Sequence, residues 1–67
     1  MSTIAREVPP KGVPLSVLLA GLAHEHPRLV PVLKTARFVR NGQYTPGTDV
    51  RVRPGDEIAV HPPYSGG

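Results

Sequence analysis

The sequence predicts one small α+β domain, a mixed sheet with one main helix lying across it. Its 67 residues allow a single domain with a modest core. Four leucines repeat at i, i+3, i+4 and i+7 and so mark one face of a helix: Leu15, Leu18, Leu19 and Leu22. Short apolar stretches of strand type lie on both sides of that helix, which indicates a sheet built from both halves of the chain.

The chain begins with a strand candidate at residues 2–8. Ile4, Arg6 and Val8 share one face there, although the alternation is imperfect. The Pro9-Pro10-Lys11-Gly12 stretch then predicts a turn, because proline and glycine interrupt regular structure.

The main helix is predicted from residue 15 to about residue 24. Pro14 suits the first turn, where a missing N–H would be unpaired in any case. Pro27 should end the helix, since the residue before a proline disfavours helical geometry. Gly21 inside the helix costs about 1 kcal/mol relative to alanine, unless a strand packs closely against it.

The second half of the chain is predicted to contain short strands separated by turns. The strands are residues 36–40, a brief return strand at 43–44, an extended run at 48–53 and a last strand at 57–61. The turns are Asn41-Gly42, Thr45-Pro46-Gly47 and Pro54-Gly55-Asp56. Residues 28–34, around Pro31, are interpreted as a short turn of helix or an irregular segment.

Composition excludes several classes of function. The chain has no cysteine, and therefore no disulfide, no thiolate zinc site and no cysteine nucleophile. No apolar run reaches the roughly 20 residues of a membrane span and no signal peptide is evident, so we expect a cytoplasmic protein without membrane contact. A net charge of +3 with three aromatic residues disfavours nucleic-acid binding.

Histidines and basic residues are interpreted as structural or solvated rather than catalytic. His24 and His26 are two apart and would point away from each other on a helix, so we predict no metal site. His61 has no nucleophile or substrate pocket to serve and is predicted to be a solvent-facing strand residue. The basic residues of the strand region are assigned to a solvated outer face rather than a docking patch: Lys34, Arg37, Arg40, Arg51 and Arg53.

The chemistry-bearing segment is predicted to be the extended tail at residues 62–67, which follows a folded domain at 1–61. Pro62 and Pro63 fix φ and lack N–H groups, so the chain should leave its last strand stiff and extended. Gly66 and Gly67 have no side chain and fit a channel too narrow for other residues, with the carboxylate foremost. The five residues past Pro62 would reach roughly 15–18 Å when extended. Tyr64 is predicted to anchor in a groove of a partner.

The stretch from residue 50 to residue 67 resembles the end of the MoaD/ThiS family of ubiquitin-like sulfur carriers. The matching features are Gly55-Asp56-Glu57, an apolar strand at 58–60, Pro62-Pro63, Tyr64, Ser65 and Gly66-Gly67. The resemblance implies a β-grasp (ubiquitin-like) fold and a chain that is not an enzyme by itself and holds no cofactor. It implies that a MoeB-like enzyme uses ATP to adenylate Gly67, which then becomes a thiocarboxylate.

The resemblance also implies partners. Pro62, Pro63, Tyr64, Ser65 and Gly66 would enter a MoaE-like large subunit of molybdopterin synthase, where the sulfur builds molybdopterin for the molybdenum cofactor. Two alternatives stay open: a carrier for thiamine, cysteine or tRNA thiolation, and a non-catalytic β-grasp module that binds a partner or RNA.

One departure concerns the start of the domain. MoaD-type carriers begin with a strand of their own, and this chain lacks residues for that strand. Residues 2–8 either keep the usual second position or slide into the central slot. We expect the last strand to have an unpaired edge, and the isolated chain to be marginally stable, to dimerise or to need its partner.

Overall fold

The computed structural model describes residues 2–4 and 6–62. The strands are β1 (Ser2–Ile4), β2 (Val13–Pro14), β3 (Arg37–Arg40), β4 (Gln43–Tyr44), β5 (Arg51–Val52) and β6 (Ile58–His61). The helices are α1 (Leu15–Glu25), a 3₁₀ turn (Pro27–Leu29) and α2 (Val30–Thr35). The predicted α+β class is confirmed. No helix of this described part is long and apolar enough to cross a membrane.

Four strands form the main sheet in the order β1-β6-β3-β4, and β2 pairs with β5 in a separate two-stranded sheet. All described ladders are antiparallel. The parallel pair that a mixed sheet requires is therefore not found in residues 2–4 and 6–62, because the neighbour of β6 on one side, β1, runs against it.

The expected unpaired edge of the last strand is wrong. Ser2 pairs with Val60, Thr3 with Ala59 and Ile4 with Ile58, so β1 covers that side of β6. On its other side β6 pairs with β3, from Arg37 opposite His61 to Arg40 opposite Ile58. The last strand before the tail is thus held between two neighbours, which explains why three of its four residues are buried.

Helix α1 packs its leucine face onto the sheet, as its periodicity predicts. The core combines residues of α1, β3, β5 and β6: Leu15, Leu18, Leu19, Phe38, Val52, Ile58 and Val60. Phe38 and Val60 are opposite each other on β3 and β6, so they present one apolar surface to the helix. Leu15 is fully buried, which makes it the centre of this packing.

Backbone carbonyls of the loop before β5 cap the start of α1. Pro14 is the capping residue and contributes no side-chain hydrogen bond. The N–H groups of Leu15 and Ser16 donate instead to the carbonyls of Val50 and Thr48, at 2.8 and 2.9 Å. These bonds satisfy two donors that a helix leaves free at its first turn. The helix ends at Glu25, just before Pro27, as predicted.

The side chain of Arg6, and not a strand, lies against Gly21. A Cβ atom at this position would lie 2.8 Å from Nη2 of Arg6. Arg6 also donates from Nη1 to the carboxylate of Glu25 at 2.6 Å. Gly21 therefore gives the guanidinium space to cross the helix and ties the segment after β1 to the end of α1.

The Asn41-Gly42 turn joins β3 to β4 as predicted. Asn41 and Gly42 both have positive φ, 50° and 84°, which is the geometry of a two-residue type I′ hairpin. The extended run predicted at 48–53 forms a strand only at β5, because its partner β2 offers just two residues.

A carboxylate connects this turn to the turn before β6. Asp56 accepts hydrogen bonds from the Arg53 N–H at 2.9 Å and from the Asn41 side-chain amide at 3.0 Å. Asn41 in turn accepts from the Glu57 N–H at 2.8 Å. The hydrogen bond from the Arg53 backbone, followed by that from Asn41, lowers the pKa of Asp56 below its ordinary value of 3.8.

We expect Asp56→Asn to flatten the acid dependence of stability. Because the folded pKa is lowered, the stabilisation is present above about pH 4 and is lost as the pH falls through the folded value. Urea denaturation of the wild type should therefore show a steeper loss below about pH 4 than the variant shows. Asp49→Asn, at an exposed carboxylate, is the matched control and should follow the wild type. Parallel curves for Asp56→Asn and wild type would contradict the role of the carboxylate.

Candidate functional site

The predicted tail begins at the end of β6. Pro62 is exposed and directly follows His61, the last residue of that strand. Pro63, Tyr64, Ser65, Gly66 and Gly67 lie outside the described residues. The described part of the site is therefore the base of the tail, and its geometry is set by the strands around His61.

Three side chains meet at the base of the tail, which we call the basal cluster: Arg37, Tyr44 and His61. The Tyr44 hydroxyl lies 2.7 Å from Nδ1 of His61, within hydrogen-bonding distance. The two rings meet edge to face, with centroids 5.3 Å apart and planes at 75°. The Arg37 guanidinium carbon lies 5.6 Å from the centroid of the Tyr44 ring, at cation–π distance.

Strand alternation brings the basal cluster together. Side chains on a strand point to opposite faces in turn. Because Phe38 and Val60 face the helix, their neighbours Arg37 and His61 face the other way, and they are opposite each other in the ladder. Tyr44 is opposite Val39 on the far side of β3, so its ring reaches over the β3 residue Arg37 to His61 on β6.

His61 lies on the outer face of the sheet, in line with the predicted solvent-facing strand position, but it also has a specific partner. The side chain is half-buried and lies within hydrogen-bonding distance of Tyr44. Sequence reasoning missed this pair because the two residues are 17 apart and lie on strands separated by β3. The available signal was the Asn41-Gly42 turn, whose hairpin register places Tyr44 on the same face as Arg37.

Two of the predicted basic surface residues have internal partners. Arg40 donates from Nη1 to the carbonyl of Arg51 at 2.8 Å. Arg51 donates from Nη1 to the carbonyls of Lys11 and Gly12, each at 3.1 Å. These arginines hold the β2–β5 sheet and its turn in place. Lys34, Arg37 and Arg53 remain exposed cations.

An open groove lies beside Pro62 on the helix side of the sheet, between β1, β6 and the helices. Its volume is about 640 Å³. Apolar side chains that include Ile4, Leu22 and Leu29 line its walls, and Arg6 and Arg28 lie among them.

In the described residues no three His, Asp or Glu side chains form a metal site. The basal cluster connects β3, β4 and β6 at the point where the tail begins.

Comparison with known proteins gives a family for the chain. The model of the ThiS family matches residues 2–67. The molybdopterin synthase sulfur carrier subunit of Chlamydomonas reinhardtii is 43% identical over 51 residues, which cover 75% of this chain and 61% of that protein. The match thus spans less than two thirds of the relative's length. No solved structure matches the chain significantly.

Proposed function

This chain belongs to the ThiS family and has its β-grasp fold, and from that premise we propose that it is a sulfur carrier for molybdopterin biosynthesis. Gly67 is the residue that accepts and donates the sulfur. The C. reinhardtii relative, named as a molybdopterin synthase sulfur carrier subunit, supports this pathway over thiamine, cysteine or tRNA thiolation.

The structural observation that supports the proposal best is the position of β6. This strand lies inside the sheet, paired on both sides, and leads directly to Pro62. A tail that follows such a strand starts from a fixed point, and the prolines restrict its first two φ angles. The arrangement suits a protein that presents its C-terminus to the active site of another protein.

In this proposal the chemistry is done to the tail by partners. A MoeB-like enzyme uses ATP: the Gly67 carboxylate attacks the α-phosphate, pyrophosphate leaves, and an acyl-adenylate forms. A sulfide equivalent then attacks the acyl carbon, the bond from that carbon to the AMP oxygen breaks, AMP leaves and the thiocarboxylate forms. The chain itself contributes the carboxylate and the slim Gly66-Gly67 approach, so it acts as a carrier and not as the catalyst.

The second partner is a MoaE-like large subunit of molybdopterin synthase. Residues 62–66 enter that subunit, with Tyr64 as the anchor and Ser65 and Gly66 in the narrow part of the channel. Aromatic residues are frequent energetic centres of interfaces, which supports the assignment of Tyr64. The sulfur is then passed to cyclic pyranopterin monophosphate.

Intact mass spectrometry tests the proposal. The chain is co-expressed with a MoeB-like enzyme and a sulfur source, purified and weighed. We expect an oxygen-to-sulfur exchange at the C-terminus, and we expect the loaded protein to yield molybdopterin with a MoaE-like subunit and cyclic pyranopterin monophosphate. A loaded chain that supports thiazole synthesis instead would overturn the pathway, and a chain that is never loaded would overturn the carrier function.

A further inference from the structure

We propose that Tyr44 is a positioning residue for sulfur loading: by its contact with His61 it fixes the direction in which the tail leaves β6. The inference rests on the proposed function for its activity readout, but its geometric basis is independent of it. His61 Nδ1 and the Tyr44 hydroxyl are 2.7 Å apart.

Burial does not explain an aromatic residue at position 44. The Tyr44 side chain is 56% exposed and belongs to β4, a two-residue strand at the sheet edge. Its specific contacts are made by its polar atom and by its ring edges and face, with His61 and Arg37. These contacts connect β4 and β3 to β6 on the face of the sheet that points away from α1.

The contact between Tyr44 and His61 lies at the base of the tail, where a small rotation of the chain would cause the largest displacement of the terminal carboxylate. His61 is the last residue of β6, and Pro62 after it has its φ restricted near −65°. With both residues restrained, we expect the chain beyond Pro62 to leave the sheet in a defined direction. Five residues reach roughly 15–18 Å when extended, so a rotation at the base would displace the carboxylate by a larger distance. A misplacement of about 1 Å at a reacting group can cost about 100-fold in rate.

Tyr44→Phe tests the proposal because it keeps the ring and removes the hydroxyl. We expect kcat/KM for loading by the MoeB-like enzyme to fall by about 3- to 10-fold, the range that a single net hydrogen bond supports. Gln43→Ala, on the same strand and exposed, is the control and should load like the wild type. Far-UV circular dichroism at the assay temperature is the check that every variant is folded.

Substitutions of His61 separate positioning from a merely structural role. His61→Leu removes the polar partner, and Tyr44→Phe should cost nothing further in that background. His61→Asn offers an oxygen and an N–H close to the place of Nδ1, and should recover most of the loading rate. Additive losses in the double variant, or a Tyr44→Phe variant that loads like the wild type, would overturn the proposal.

A measurement on the free carrier keeps the two proposals distinguishable. Residual dipolar couplings of the Gly66 and Gly67 amides report the direction of the tail relative to the sheet. We expect Tyr44→Phe to reduce them relative to those of β6, whether or not the protein is ever loaded. Unchanged couplings overturn the positioning role and leave the carrier function intact. Failure to load the wild type overturns the carrier function, and the couplings alone then decide the role of Tyr44.

Discussion

Removal of Gly67 is expected to reduce sulfur loading by at least about 100-fold. The shortened tail still ends in a glycine carboxylate, but that carboxylate stops about 3.3 Å short of its former reach. Because acyl activation requires reacting atoms in near-attack geometry, such a displacement removes most of the rate. The measurement is the initial rate of thiocarboxylate formation with the MoeB-like enzyme, followed by intact mass spectrometry.

An added residue should have the same effect as a missing one. A single alanine placed after Gly67 moves the carboxylate forward and puts a side chain into the channel. The matched control is Gly47→Ala, since a Cβ there meets no heavy atom within 4 Å. Loading of the shortened or extended chain at the wild-type rate would mean that Gly67 is not the functional residue.

Gly12→Ala is expected to cause the largest loss of stability among the glycine substitutions. Gly12 has φ +79°, and a Cβ there would lie 2.7 Å from the carbonyl oxygen of Val52, which is main chain and cannot easily move. The left-handed conformation alone costs about 1–2 kcal/mol. With the overlap added, we expect a loss of about 2–4 kcal/mol in the free energy of unfolding and a fall in Tm of more than about 10 °C.

Substitutions at two other glycines separate the conformational cost at Gly12 from the cost of the steric overlap. Gly55 has φ +92° with open space around it, so Gly55→Ala carries only the conformational cost. Gly47→Ala carries neither cost. Urea denaturation should therefore rank the free energies of unfolding as Gly47→Ala, then Gly55→Ala, then Gly12→Ala, from most to least stable. If Gly12→Ala and Gly55→Ala lower the free energy of unfolding equally, the β2–β5 sheet adapts to the added methyl group.

The sequence predicted the elements whose signals are local. Helix α1 was recognisable because its leucines repeat within two turns and Pro27 follows it. The β3–β4 hairpin was recognisable because Asn41-Gly42 suits a type I′ turn. In the same way, the ThiS family was recognisable from the residues around Gly66-Gly67, whose types and order are visible without any structure.

Features that depend on distant residues were not predictable. The antiparallel pairing of β1 with β6 joins the two ends of the described chain, and nothing in residues 2–8 marks its direction. The roles of Arg40 and Arg51 were not predictable either, because their partners are distant backbone carbonyls that any residue could provide. For the candidate site, the tail stays a prediction from the order of its residues, whereas the contact between Tyr44 and His61 depends on sheet register.

The position of β6 between two antiparallel neighbours also determines how the domain bears a mechanical load. Antiparallel hydrogen bonds are perpendicular to the strands. A partner that pulls on the tail along the axis of β6 therefore loads the bonds to β1 and to β3 in shear, all at once, instead of opening them one after another. Under the proposed function, a force on a tail held by a partner would thus be shared between both neighbours of β6, and the tail could be withdrawn without unfolding the domain behind it.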